Sequence, residues 1–136
     1  MCVKFDRNWR VLPRGDDEPT FYADYPLVGS NTYRFPCVIN SHIFLPNEER
    51  SSIVLQTVKL SHLNKFLMIK SVSLYSFLLK LAEEKKFDNA GIICLVPSIM
   101  ELSGIVCNRQ WYDKNYMEPM VREAFKAPLL RAHDSV

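Results

Sequence analysis

The sequence predicts an α+β domain: a small mixed β-sheet in the first half, packed by a long amphipathic helix at about 61–86 and by C-terminal helices. Three observations lead there. Thr20–Leu27 and Phe35–Asn40 are rich in aromatic and β-branched residues and are separated by the turn string Gly29-Ser30-Asn31. From Ser61 to Lys86 there is neither Gly nor Pro, and leucines recur at 63, 67, 74, 78 and 81. The 136 residues, 48% apolar and 24% charged, suit one domain with a core of its own, so residues 1–136 are expected to form a single unit, with 1–19 at its periphery.

Along the chain, Cys2–Phe5 and Trp9–Leu12 read as a weak hairpin, and Arg14–Pro19 as a turn-rich loop. Pro26 closes the first strand or sets it at a sheet edge. Cys37-Val38-Ile39 suggests a second strand buried on both faces. Leu45–Arg50 reads as a polar loop and Ser52–Leu55 as a short strand. In the long helix, Phe66, Tyr75 and Ala82 flank the leucines, while Lys65, Ser73, Ser76, Lys80 and Glu84 fall on the other side. Ser61 is placed as its N-cap, and Lys85-Lys86 suit the negative end of its dipole. Residues 88–97 favour a strand by composition, although a short buried helix fits the same string. Trp111–Lys126 reads as helical, started or kinked at Pro119, with Met120, Val121, Ala124 and Phe125 on its apolar face.

Composition excludes several classes. The net charge is +2, with charges mixed along the chain, so no electrostatic footprint for nucleic acid is present. The longest apolar run, Ala90–Val96, is too short to span a bilayer, and no secretory leader is visible at the start. The four cysteines, at 2, 37, 94 and 107, form no CxxC pair, and Cys37 and Cys94 read as small buried hydrophobes. These features suggest a reducing, cytoplasmic setting. Arg14-Gly15-Asp16 is a three-residue coincidence in a chain without secretory signals. No GxSxG frame occurs, and four glycines cannot build a phosphate cradle. Cys37 with His42 would be the one imaginable dyad, but a continuing strand puts the two on opposite faces. No metal site is expected.

The block Phe21–Arg50 carries a resemblance. Tyr25-Pro26-Leu27-Val28-Gly29, then Phe35-Pro36 with Val38-Ile39-Asn40-Ser41, then Phe44, Pro46 and Arg50 resemble, in order, a segment of large sacsin-like ATPases. These are relatives of the ninety-kilodalton heat-shock chaperones in the histidine-kinase-like superfamily. Asn64–Glu84, Trp111–Asn115 with Pro119 and Arg122, and Pro128–Leu130 extend the likeness more loosely over about 20–131. The segment follows the ATP-binding domain in that family, and no motif of that domain occurs here. Ser51-Ser52 also replaces an expected Asp-Gly.

The resemblance implies a non-catalytic middle-domain-like module, contributing interdomain coupling or contact with a client or partner protein. It implies no cofactor in this chain, ATP belonging to the full-length family. It also implies a missing or separate ATPase domain as partner, with no nucleic acid or membrane. Arg50 would be the side chain offered to a γ-phosphate held by that other domain, since a guanidinium presents fixed donors to phosphate oxygens. Pro26, Gly29, Asn40 and Pro46 would be structural. The alternative is an independent protein–protein interaction module.

Overall fold

The computed structural model describes residues 1–33, 35–56, 59–94 and 109–129, and its architecture is α+β. The strands are very short. Strand β1 (Lys4–Phe5) pairs antiparallel with β2 (Val11–Leu12). Strands β3 (Phe21–Ala23), β4 (Tyr25–Pro26) and β5 (Ile39–Asn40) form a mixed sheet in the order β4-β3-β5, antiparallel on one side of β3 and parallel on the other. A 3-10 turn at Ser30–Tyr33 links the two sides.

The single strand expected over Thr20–Leu27 is folded back on itself. Asp24 adopts a left-handed φ of 63°, and its amide donates to Asn40 Oδ1 at 3.2 Å. Aspartate accepts that backbone region more readily than most residues. The second expected strand is shorter than its sequence suggests, and its burial alternates: Phe35, Cys37 and Ile39 are buried, whereas Val38 is half-buried and pairs with Cys2. Ser52–Leu55 reduces to one bridge, Ile53 to Pro46.

Residues 1–19, expected at the periphery, make definite contacts with the interior. Val11 is fully buried, its amide donates to Asp88 O at 2.9 Å, and Cys2 exchanges amide–carbonyl bonds with Val38. Arg14 of the RGD string is spent inside the protein, its Nε donating to Phe35 O at 2.8 Å and its guanidinium also bonding Glu18 O.

Helix α1 (Ser61–Lys85) stops as expected. Lys86 takes the left-handed conformation, and its amide and that of Phe87 reach back to Glu83 O and Ala82 O. Its start differs: Leu60 occupies the N-cap without a side-chain bond, and the Ser61 hydroxyl is buried with no partner among the described residues. The packed face differs as well. Ser61, Asn64, Met68, Ser71, Tyr75, Leu79 and Ala82 are buried, spaced by three and four. The expected apolar side is divided: Tyr75 and Ala82 are buried, Leu67, Leu78 and Leu81 are half-buried, and Leu63, Phe66 and Leu74 are exposed, as is Phe77. Small side chains at 61, 71 and 82 let the helix backbone lie close to its main neighbours, the segments Ala90–Cys94, Asp113–Met117 and Glu118–Lys126.

After α1, Ala90–Cys94 is a 3-10 helix, which settles the described part of the ambiguous stretch; 95–97 lie outside the described residues, as do Cys107, Leu130 and His133. The C-terminal helical run comprises α2 (Arg109–Tyr112), a π-helical turn at Asp113–Met117, and α3 (Glu118–Lys126). Pro119 sits in the first turn of α3, but Met117 and Glu118 before it are already helical, so its missing amide falls inside a continuous helical run. The irregularity comes just before it, in the π turn. Met120 and Ala124 are buried, but Phe125, expected on the apolar face, is 81% exposed.

A continuous file of rings joins the halves. Phe44 meets Phe21, Phe21 meets Tyr33, Tyr33 meets Tyr112, Tyr112 meets Tyr116, Tyr116 meets Phe35 and Phe35 meets Tyr75, with centroids 4.7–6.2 Å apart. Such pairs favour edge or tilted contacts and stabilise beyond simple burial. The file runs from the first-half sheet through α2 and the π turn to α1, so these elements share one interior.

Candidate functional site

The loop that carries Arg50 is built by side chains more than by a strand ladder. Pro46 and Ile53 form its base, with Val54 N donating to Leu45 O at 3.0 Å and Asn47 N to Ser52 O at 2.9 Å. Inside the loop, Asn47 Oδ1 accepts from the amides of Ser51 and Ser52, at 2.8 and 3.1 Å, while its amide nitrogen donates to Ser51 Oγ. Asparagine is suited to this local mimicry of a backbone turn. Arg50 itself sits at the tip with φ 50°, its amide donating to Asn47 O at 2.9 Å. Its side chain is exposed, and among the described residues no ion pair or hydrogen bond holds the guanidinium, not even one to Glu48 or Glu49.

Two supports come from elsewhere in the resembling block. Gly29 has φ 115°, and a Cβ there would come within 3.1 Å of Ser51 O and 3.2 Å of Ser51 Cβ. Glycine at 29 is therefore required twice, by its conformation and by the approach of the Arg50 loop. Asn64, fully buried on α1, accepts from Leu45 N at 2.9 Å and donates to Leu45 O and Val54 O at 2.8 Å each. It fastens both legs of the loop to the helix. Asn64 is the residue that sequence reading missed as a key position. Its signal was a lone amide in the first turn of a helix, where a side chain can reach back to the preceding loop.

The other sequence-chosen residues fall where a structural role puts them. Pro26 ends β4, paired with Tyr22. Asn40 ends β5 and holds the Asp24 turn. Cys37 is buried whereas His42 is exposed, so the imagined dyad does not form. Burial pushes the Cys37 thiol up to about 12, raises the Cys94 thiol, and raises the Tyr75 and Tyr116 phenols, all by desolvation of the charged form. At neutral pH these groups stay protonated and are poor nucleophiles.

The Arg50 loop does not fit ATP by its own donors. The amides of Arg50, Ser51 and Ser52 are spent on Asn47, and Glu48 and Glu49 flank the guanidinium with negative charge. A phosphate reaching Arg50 would need the remaining ligands from another domain. Among the described residues, no group of three or more His, Cys, Asp or Glu is arranged to hold a metal, and no helix is long and apolar enough to cross a membrane. Family models, curated proteins and solved structures give no match to this chain.

Proposed function

We propose that the chain is a non-catalytic contact module, coupling a separate nucleotide-binding domain to a partner protein. One observation carries this reading. Helix α1 turns a face with four small or polar residues toward its own core and leaves Leu63, Phe66, Leu74 and Phe77 to solvent, Phe77 at 65% exposure. These four fall on one side of a helix about 38 Å long, as two apolar pairs with exposed Lys70 and Ser73 between them, and exposed apolar surface rimmed by polar residues is characteristic of a docking face. The partner of that face is the neighbouring domain of the resembling ATPases, to which Arg50 would be directed.

The preformed Arg50 loop supports the coupling role. A guanidinium on a fixed tip with no partner among the described residues is available to a phosphate held by that neighbour.

Two measurements test the proposal. Calorimetry of the isolated chain with magnesium ATP should show no binding, and micromolar affinity would overturn the non-catalytic reading. In a Trp9→Ala background, which removes the other large exposed ring, a polarity-sensitive naphthalene dye should bind the chain, and adding Leu74→Glu with Phe77→Glu should abolish most of that signal. Undiminished dye binding in the folded triple variant would show that the α1 face is not the exposed apolar surface.

A further inference from the structure

A second surface lies at the other end of α1, independent of the Arg50 loop and of the apolar stripe. A cleft of about 540 Å³ opens there, within the range of small-molecule sites. Trp9, Leu81 and Phe87 supply its apolar walls, and Lys85, Lys86 and Asp88 its charged rim.

The indole is held out on purpose-built backbone. Asp6 Oδ1 accepts from Asn8 N at 2.7 Å and Arg10 N at 3.0 Å, Asp6 N donates to Arg10 O, and Trp9 N donates to Asp6 O. These bonds fix Trp9 at φ 59°, a left-handed conformation that a bulky residue rarely adopts. The ring is 67% exposed, although Phe5 touches it edge-on at 5.7 Å and touches Phe87 at 4.8 Å. A large flat apolar face thus stands in water beside two apolar walls. Fold stability gains little from that placement; a planar ligand lying on the indole would gain from it.

The rim selects the sign of charge. Asp88 is already paired with Arg10 at 2.9 Å. Lys85 and Lys86 are in no ion pair among the described residues, and their side chains line the same cleft as the indole. Two of the terminal carbonyls of α1, Ala82 O and Glu83 O, which would otherwise repel an anion, are occupied by the amides of Phe87 and Lys86. Residual charge at the rim is therefore positive.

We infer that this cleft binds a small planar aromatic anion, its ring on Trp9 against Leu81 and Phe87 and its carboxylate or phosphate on Lys85 and Lys86. The probe is 2-naphthoate, with the neutral 2-naphthalenemethanol as comparison, both measured by calorimetry on the full chain. Naphthoate should bind with a Kd on the order of 100 µM, the range set by ordinary binding energy per atom for a ligand of this size. Trp9→Ala should weaken it about tenfold or more, consistent with loss of one aromatic stacking partner. The double variant Lys85→Gln, Lys86→Gln should reduce naphthoate to the affinity of the alcohol while leaving alcohol binding unchanged. All three positions are exposed, so circular dichroism melts should match the parent and separate lost binding from lost fold. Absence of naphthoate binding at millimolar concentration, equal affinity for acid and alcohol, or indifference to Trp9→Ala would each overturn the assignment.

Discussion

The two faces of α1 make an instructive pair. One holds Ser61, Asn64, Ser71 and Ala82 among its seven buried positions; the other holds Leu63, Phe66, Leu74 and Phe77. By side-chain hydrophobicity the second should be inside. It is outside because burial depends on what a face can approach and bond, as well as on what it prefers to avoid. The first face lets the helix lie close, lets Asn64 bind three backbone groups of the Arg50 loop, and lets the Tyr75 hydroxyl donate to Ile93 O at 2.7 Å.

That contrast can be broken by substitution. The largest effect should come from Asn64→Ala, which leaves Leu45 N, Leu45 O and Val54 O without their partner. A loss of about 2–3 kcal/mol is expected, since unsatisfied groups at a packed junction cost their desolvation. Chemical denaturation would measure it. A loss of a different kind should appear in alkali. The Cys37 thiol has its folded value raised from 9.0 to about 12, and the Tyr75 phenol is raised from its ordinary 10.0. The folded chain keeps these protons while the unfolded chain releases them. The associated stability is therefore intact below about pH 9 and is lost as pH climbs towards 12. Denaturation midpoints measured across that window should fall, and Cys37→Ala should flatten the fall. The smallest effect should come from Leu74→Glu or Phe77→Glu, each within about 0.5 kcal/mol of the parent, as for exposed positions generally. A larger loss there than at Asn64 would reverse the comparison and mean that the apolar face is the packed one.

Element order and class were legible in the residues. The break-free run Ser61–Lys86 marks α1 almost to the residue, and the turn string at 29–31 correctly separates the strands. Strand extent was not legible, because side chains replace ladder bonds. Ser30 Oγ accepts from Thr20 N and Phe21 N, and Asn40 serves Asp24, so backbone that looks like strand bends away after two or three residues. The orientation of α1 was hidden for a different reason. Apolar residues cover more than one side of the helix, so periodicity identifies a helix without choosing its inner face. At the candidate site, the loop position of Arg50 was readable from its polar setting. Its anchoring was not, since Gly29–Ser51 and Asn64–Leu45 are contacts between distant parts of the chain.

The π turn at Asp113–Met117 amounts to one surplus residue lodged in a helix. It gives buried Tyr112, Tyr116, Met120 and Ala124 an even spacing of four, wider than an ordinary helical turn. Deleting exposed Lys114 would remove that surplus residue, yet would swing Arg109–Tyr112 by about 100° about the axis. Tyr112 would then leave Tyr33, and the file of rings would be cut at its midpoint. Removing the irregularity would thus produce a worse domain: the length of this segment is held to a single residue by the partners at its two ends.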